Sequence, residues 1–229
     1  MTAASDVVVI GAGAVGAAVG YSLARRGART TLLDASTPGR ATSASAGGLW
    51  ALGESLGLGC GVIFHATEGG AAPEPLPRAF MDFLCASNRM FPRLADELRA
   101  AAGVDIESEP GTGLLYLLYD ETQETHARRI VEFLGDGPER AELWTPEQVR
   151  DRDPLVTRDV RGAVWFPGDN QVNPMLLAEG LKRAAVANGA RFVAEARVRG
   201  FTMEGGRIVS VESERGAFAC GAVVNAAGA

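Results

Sequence analysis

Gly11-Ala12-Gly13-Ala14-Val15-Gly16 has the spacing GxGxxG, and Asp34 stands 18 residues beyond its last glycine. Glycines at these three positions let a strand turn sharply, bring backbone N–H groups against a pyrophosphate and pack a helix closely on a strand. The phosphates then lie at the positive end of the helix dipole. A carboxylate ending the next strand accepts from a ribose hydroxyl, where an Arg would favour a 2′-phosphate. The chemistry implied is adenine-dinucleotide binding, provided that a strand precedes the loop and a helix follows it, because Gly/Ala-rich helix starts produce the spacing by chance.

The flanking sequence meets that condition. Val7-Val8-Val9-Ile10 is a short, fully apolar, β-branched run, as in a parallel strand buried on both faces. Ala14 to Arg26 has helix formers and ends at Gly27, a suitable C-terminal stop, with Gly20 extending the close contact one turn on. Thr30 to Leu33 is a second strand. The opening is therefore βαβ and the fold class α/β.

Further on, the pattern changes. Residues 69–77 are nearly all Gly, Ala, Pro and Glu and form a loop or hinge. Pro77 to Ala102 has helical spacing through Phe80, Phe83, Leu84, Met90, Leu94 and Leu98, with Pro92 kinking or splitting it and Gly103 stopping it. Leu114 to Tyr119 is a strand, Asp120 caps a helix to about Phe133, and Thr145-Pro146-Glu147-Gln148 is a capping box with Pro at the first helical position. Trp165 and Phe166 end another strand. This middle portion is α+β rather than regularly alternating, the mark of an inserted second domain. Asn173-Pro174 starts a helix through Ala187 closed by Gly189, Arg191 to Ala194 is a strand, and Val198 to Met203 and Ile208 to Val211 flank the hairpin signal Gly205-Gly206. Ala222 to Asn225 is one more small apolar strand.

FAD and NAD share the glycine loop. Two features favour FAD: the segment Gly39 to Gly48, whose hydroxyls, Arg40 and glycine N–H groups suit a diphosphate and flavin, and the small-residue strand end Asn225-Ala226-Ala227-Gly228. The remaining chemistry-bearing residues have ordinary readings. Glu54 is a solvated loop carboxylate, His126 lies on the surface of a charged helix, His65 has no ligand-forming neighbours, and Cys60 is a small buried thiol; Trp50 and Trp165 belong to the core. No metal site is expected.

Lys plus Arg number 22 against 28 Asp plus Glu, a net charge of −6 and a pI near 5.1, which excludes a phosphate-backbone binder and hence nucleic acid as partner. With 47% apolar residues the chain buries a real core. Its 3 cysteines, Cys60, Cys85 and Cys220, are scattered and odd in number, which points to reduced thiols in the cytoplasm. Val7 to Gly20 is not taken for a signal peptide, since no Lys or Arg precedes it and Asp6 abuts it. No run approaches the roughly 18 apolar residues of a membrane span, so the chain is soluble or at most peripheral on the inner face of a membrane.

The segment Ala44-Ser45-Ala46-Gly47-Gly48-Leu49-Trp50-Ala51-Leu52-Gly53-Glu54 and its continuation to Phe64, together with Phe80-Met81-Asp82-Phe83, Tyr116-Leu117-Leu118-Tyr119-Asp120 and Asp169-Asn170-Gln171-Val172-Asn173-Pro174, resembles the D-amino-acid oxidase superfamily of FAD-dependent oxidoreductases. The resemblance runs from Asp6 to Ala229 and is most specific toward the glycine-oxidising branch, which contains glycine oxidase and the cyanide-forming enzymes. It implies a Rossmann-like FAD-binding domain of the GR2-type flavoprotein class with an inserted α+β substrate domain. Residues 1–76 and 171–229 would form the FAD-binding domain and residues 77–170 the insert. Further implied are oxidation of a small amino acid by hydride transfer to flavin, and electron-accepting partner subunits. The residues carried over for FAD are Gly11, Gly13, Ala14, Val15 and Gly16 at the phosphates, Asp34 and Ala35 at the adenosine ribose, Thr42, Ser43, Ala46, Gly47 and Gly48 toward diphosphate and isoalloxazine, and Val198 beside the adenine. Family members continue beyond the Asn-Ala-Ala-Gly-Ala motif into a segment holding the Arg that grips the substrate carboxylate. The chain is thus expected to be the first half or slightly more of such an enzyme, its C-terminal part missing, and no catalytic residue is assigned within it.

Overall fold

A computed structural model describes residues 4–56, 77–108 and 111–228. In chain order the elements are β1 (Ser5–Ile10), α1 (Ala14–Arg25), β2 (Thr30–Leu33), α2 (Ala41–Ala44), β3 (Gly48–Leu49), α3 (Ala51–Ser55), α4 (Arg78–Asn88), α5 (Phe91–Ala102) and β4 (Leu114–Leu118). There follow α6 (Glu121–Leu134), β5 (Glu142–Trp144), α7 (Pro146–Arg152), β6 (Gly162–Phe166), β7 (Asn170–Gln171), α8 (Pro174–Ala187), β8 (Arg191–Val193), β9 (Val198–Glu204), β10 (Arg207–Ser213) and β11 (Gly216–Asn225). They form two compact units, one of Met1–Gly47, Arg93–Glu107 and Val172–Ala229, the other of Gly48–Pro92 and Ser108–Gln171.

The first unit is built on a 6-stranded sheet in the order β8-β2-β1-β11-β10-β9. β8, β2, β1 and β11 run parallel, with Ile10 in register with both Leu33 and Asn225, so their carboxyl ends line up. β10 and β9 add an antiparallel hairpin whose two-residue turn, Gly205 and Gly206 at φ 56° and 77°, is the twist-matched kind that requires left-handed residues. β11 serves both halves: Gly216 to Ala219 pair antiparallel with β10, and Cys220 to Asn225 pair parallel with β1. The sequence indicated only the upper half of this strand, because Gly216-Ala217-Phe218-Ala219-Cys220-Gly221 has neither β-branched residues nor clean alternation.

Alternation in β1 sends Val8 and Ile10 to one face, where they join Leu33, Ala196, Val211, Phe218 and Cys220 in a core cluster. The other face carries the helices. Leu32 fits against Gly20 of α1, where an added Cβ would sit 2.6 Å from a Leu32 methyl, so the small-residue face of α1 allows the helix to lie close to the sheet. α1 packs in turn on α8, and Gly180 of α8 accommodates Leu98 and Val104 from the 93–107 segment.

The second unit has a 3-stranded antiparallel sheet, β4-β6-β5, and the short ribbon β3–β7. Its core gathers Leu52, Leu56, Met81, Cys85, Leu118, Ile130, Val164 and Phe166 from α3, α4, α6 and the sheet. The helical stretch that begins near Pro77 is two helices broken at Arg89-Met90, ahead of Pro92, which occupies the first turn of α5 where its missing N–H costs nothing. The capping box at α7 is present as expected, and Asp120 accepts from the Gln123 N–H at the start of α6.

Candidate functional site

The glycine loop joins β1 to α1 at the carboxyl ends of the parallel strands, the place where open α/β sheets bind their ligands. Gly11 turns with φ 94°, and a Cβ there would overlap the carbonyl of Ala226, just beyond β11. A Cβ on Gly16 would overlap the Gly11 carbonyl, and one on Gly13 would come 2.9 Å from the Thr42 hydroxyl. The three glycines are therefore required by the chain's own packing at this crossing. Ala226 donates to the Ile10 carbonyl at 2.8 Å, which ties the strand end Asn225 to Gly228 to the loop.

The loop's amides divide into two sets. Gly11 donates to the Leu33 carbonyl at 2.7 Å, Ala12 to Asp34 Oδ2 at 2.7 Å, and Ala14 to Thr42 Oγ1 at 3.0 Å. Among the described residues the N–H groups of Gly13, Val15 and Gly16 have no protein acceptor. Gly13 is the N-cap of α1 and has no side chain to cap it, so these donors and the helix dipole point at one place. Val15 is 70% exposed there, unusual for a Val next to buried Gly16 and Ala17. This donor set fits the pyrophosphate of a dinucleotide.

Asp34 is only 6% exposed. Besides Ala12, its carboxylate accepts from the Ser36 N–H at 2.7 Å and from Arg40 Nη1 at 3.2 Å, both at Oδ1. Its backbone binds β8 and the turn after it, the N–H donating to the Val193 carbonyl at 3.0 Å and the carbonyl accepting from Ala196 at 2.8 Å. Ala35 is half-buried beside it, and Val198 starts β9 two residues beyond Ala196. Glycine loop, Asp34, Ala35, Thr42 and the approach to Val198 are thus gathered in one region of the first unit. Ser43 and Ala46 are exposed in the same connection, and Gly47 is buried, its carbonyl accepting from the Val172 N–H at 2.9 Å. Gly48 belongs to the second unit, in the β3–β7 ribbon, with the Trp50 ring against its Cα.

Sequence reasoning gave Asp169 no role beyond its place in the resembling segment Asp169 to Pro174. It is 1% exposed and caps α3 from a distant part of the chain, accepting from Leu52 and Gly53 N–H at 3.0 and 2.9 Å. Nothing local marks it, since its partners are backbone groups more than a hundred residues away. His126 is a correction. It is half-buried rather than exposed: both ring nitrogens are buried with no hydrogen-bond partner among the described residues, and burial, with Arg129 adding to it, holds its pKa below the ordinary value. The Trp165 ring packs against that of Trp144 in a tilted arrangement, centroids 4.9 Å apart and planes at 43°. Cys60 and His65 lie outside the described residues, as does the Glu54 side chain. No group of three or more His, Cys, Asp or Glu that could hold a metal occurs among the described residues. No helix among them is long and apolar enough to cross a membrane.

A family model described as FAD dependent oxidoreductase matches residues 6–229. Hydrogen cyanide synthase subunit HcnC of Pseudomonas protegens is 37% identical over 98% of this chain and 58% of that protein, and the subunit of the same name from Pseudomonas aeruginosa is 38% identical with the same coverage. The crystal structure of glycine oxidase from Geobacillus kaustophilus superposes with a TM-score of 0.83 at 28% identity, covering 100% of this chain and 56% of that one. The chain therefore spans somewhat over half the length of the relatives it matches.

Proposed function

Because the chain belongs to the FAD dependent oxidoreductase family, we propose that it forms the FAD-binding part of an enzyme oxidising the CH–NH2 or CH–NH group of a small amino acid, glycine foremost. FAD is the family's cofactor. The observation that carries the reading is the unused set of Gly13, Val15 and Gly16 amides at the uncapped start of α1, with the buried Asp34 carboxylate one strand away. In this reading the three amides hold the pyrophosphate, Asp34 accepts from a ribose hydroxyl and Val15 covers the bound dinucleotide. Gly11 and Ala14 shape the loop, Ala35 borders the ribose, and the Val198 backbone lies along the adenine. Thr42, Ser43, Ala46, Gly47 and Gly48 line the path from diphosphate to isoalloxazine. The unit of Met1–Gly47, Arg93–Glu107 and Val172–Ala229 serves as the cofactor domain and that of Gly48–Pro92 and Ser108–Gln171 as the substrate insert, in place of the sequence-based division at 1–76, 77–170 and 171–229.

FAD bound there supplies an acceptor for hydride from the α-carbon of the amine. Carried through twice on glycine, the overall change releases HCN and CO2 with four electrons and four protons, which electron-accepting partner subunits would take up. The likeness to two hydrogen cyanide synthase subunits supports this version over a D-amino-acid, sarcosine or opine oxidase.

The test is anaerobic titration of the purified protein with candidate amines while the visible flavin band is followed and cyanide is trapped. Glycine is expected to bleach the band and release cyanide. Bleaching only by a larger or N-methylated amine would replace glycine as substrate; a yellow protein that no amine bleaches would point to a non-catalytic FAD module. Colourless protein that binds NADH would overturn the reading altogether.

A further inference from the structure

We propose that Arg40 is a positioning residue for cofactor capture: its guanidinium latches onto the buried Asp34 carboxylate and thereby holds α2, with Thr42, over the start of α1. This rests on the reading of the glycine loop as the FAD site. α2 is four residues long, has no buried residue and, among the described elements, packs mainly along α8, so it does not stand by itself. Two polar links fix it. The Arg40 carbonyl closes the helix start by accepting from the Ser43 and Ala44 N–H groups at 3.0 and 3.1 Å and from the Ser43 hydroxyl at 2.9 Å, while the Arg40 side chain reaches back to Asp34 Oδ1 at 3.2 Å. Thr42 then accepts the Ala14 N–H at 3.0 Å.

The same carboxylate holds the glycine loop through its other oxygen, at Ala12. One buried anion therefore sets both walls of the phosphate end, the loop directly and α2 through Arg40. The asymmetry of the pair favours this division of labour. The Asp34 side chain is 7% exposed and fixed by three donors, whereas Arg40 is 43% exposed and has this single ion pair among the described residues. Releasing Arg40 leaves Asp34 hydrogen-bonded and in place but frees α2 from its anchor. A site that must order α2 on binding then takes the dinucleotide more weakly than one already ordered.

The experiment uses the purified protein stripped of flavin. FAD dissociation constants are measured by fluorescence quenching for the wild type, R40Q, R40K, D34N and the D34N/R40Q double variant. Amide hydrogen exchange of Ala14 and of residues 41–44 is followed without FAD. R40Q is expected to weaken FAD binding about tenfold, the loss of one charge-assisted hydrogen bond, and to speed exchange at Ala14; R40K keeps most of the affinity. In the D34N background, R40Q should add little, because the latch has lost its catch. Should D34N fail to fold, T42V provides the same comparison, since it cuts the other hold on α2. Equal cost of R40Q in both backgrounds, or unchanged exchange at Ala14, would mean that Arg40 touches the cofactor directly or not at all and would overturn the proposal. A wild-type protein that takes up no FAD would sink the cofactor reading instead.

Discussion

At the scale of single residues the site is governed by what a Cβ or a proton would disturb. Gly11→Ala combines a positive φ with overlap on the Ala226 carbonyl, so it should displace the β1–β11 crossing. We expect a loss of about 3 kcal/mol in urea unfolding, together with loss of bound flavin; unchanged unfolding would show that the crossing relaxes freely. His126 predicts a pH effect. Its folded pKa lies below the unfolded value because burial opposes the charged ring, so the unfolded chain binds protons more readily. Its contribution to stability is fully present above about pH 6.5 and is lost as pH falls from there toward the folded value. Comparing the urea midpoints of wild type and His126→Leu from pH 8 to 5 isolates this effect: the two curves should diverge below pH 6.5, and parallel curves would reject it. Asp34 and the glycines were legible in the sequence because their spacing encodes a local turn. The burial of His126 was not, because it depends on which face of α6 meets the sheet, and the neighbouring charges Glu124, Arg128 and Arg129 gave it the look of an exposed position.

At the scale of elements, caps were the most readable feature. Asn173 accepts from the Met175 and Leu176 N–H groups at 3.1 and 3.2 Å, and its own N–H binds the Ile106 carbonyl at 2.9 Å. Asn173→Ala is expected to cost about 1 kcal/mol, seen as a lower Tm with α8 otherwise intact; no change in Tm would show that water replaces the cap at no loss. The strands β1 and β2 and the hairpin β9–β10 were equally plain, since β-branched runs and a Gly-Gly turn act over a few residues. By contrast α2, β3 and β7 are two to four residues long and owe their existence to distant partners such as Asp34, Ala14 and one another. No periodicity develops over so short a span. Nor does anything local in residues 93–107 announce that they pack with the first unit; that follows from the fit of Leu98 and Val104 on Gly180.

At the scale of the whole chain, contacts between distant segments decide stability. Asp169→Ala would leave the buried Leu52 and Gly53 amides without their acceptor. We expect a loss of about 3 kcal/mol and faster limited proteolysis within residues 48–56; protection equal to the wild type would show that α3 is held by its apolar side alone. The same scale brings out a property of β11. It pairs with β1 in a register that joins Ser5 to Cys220, so the middle of the parallel sheet is closed by the first described strand and the last. During synthesis at roughly 5–20 residues per second, β1 waits on the order of 10–40 s for this neighbour. Throughout that interval the apolar edge of Val7 to Ile10 is open to other chains. Nascent chains stalled before Cys220 should therefore be the species that chaperones hold and that aggregate, which makes the emergence of β11, more than final stability, the step at which yield is set.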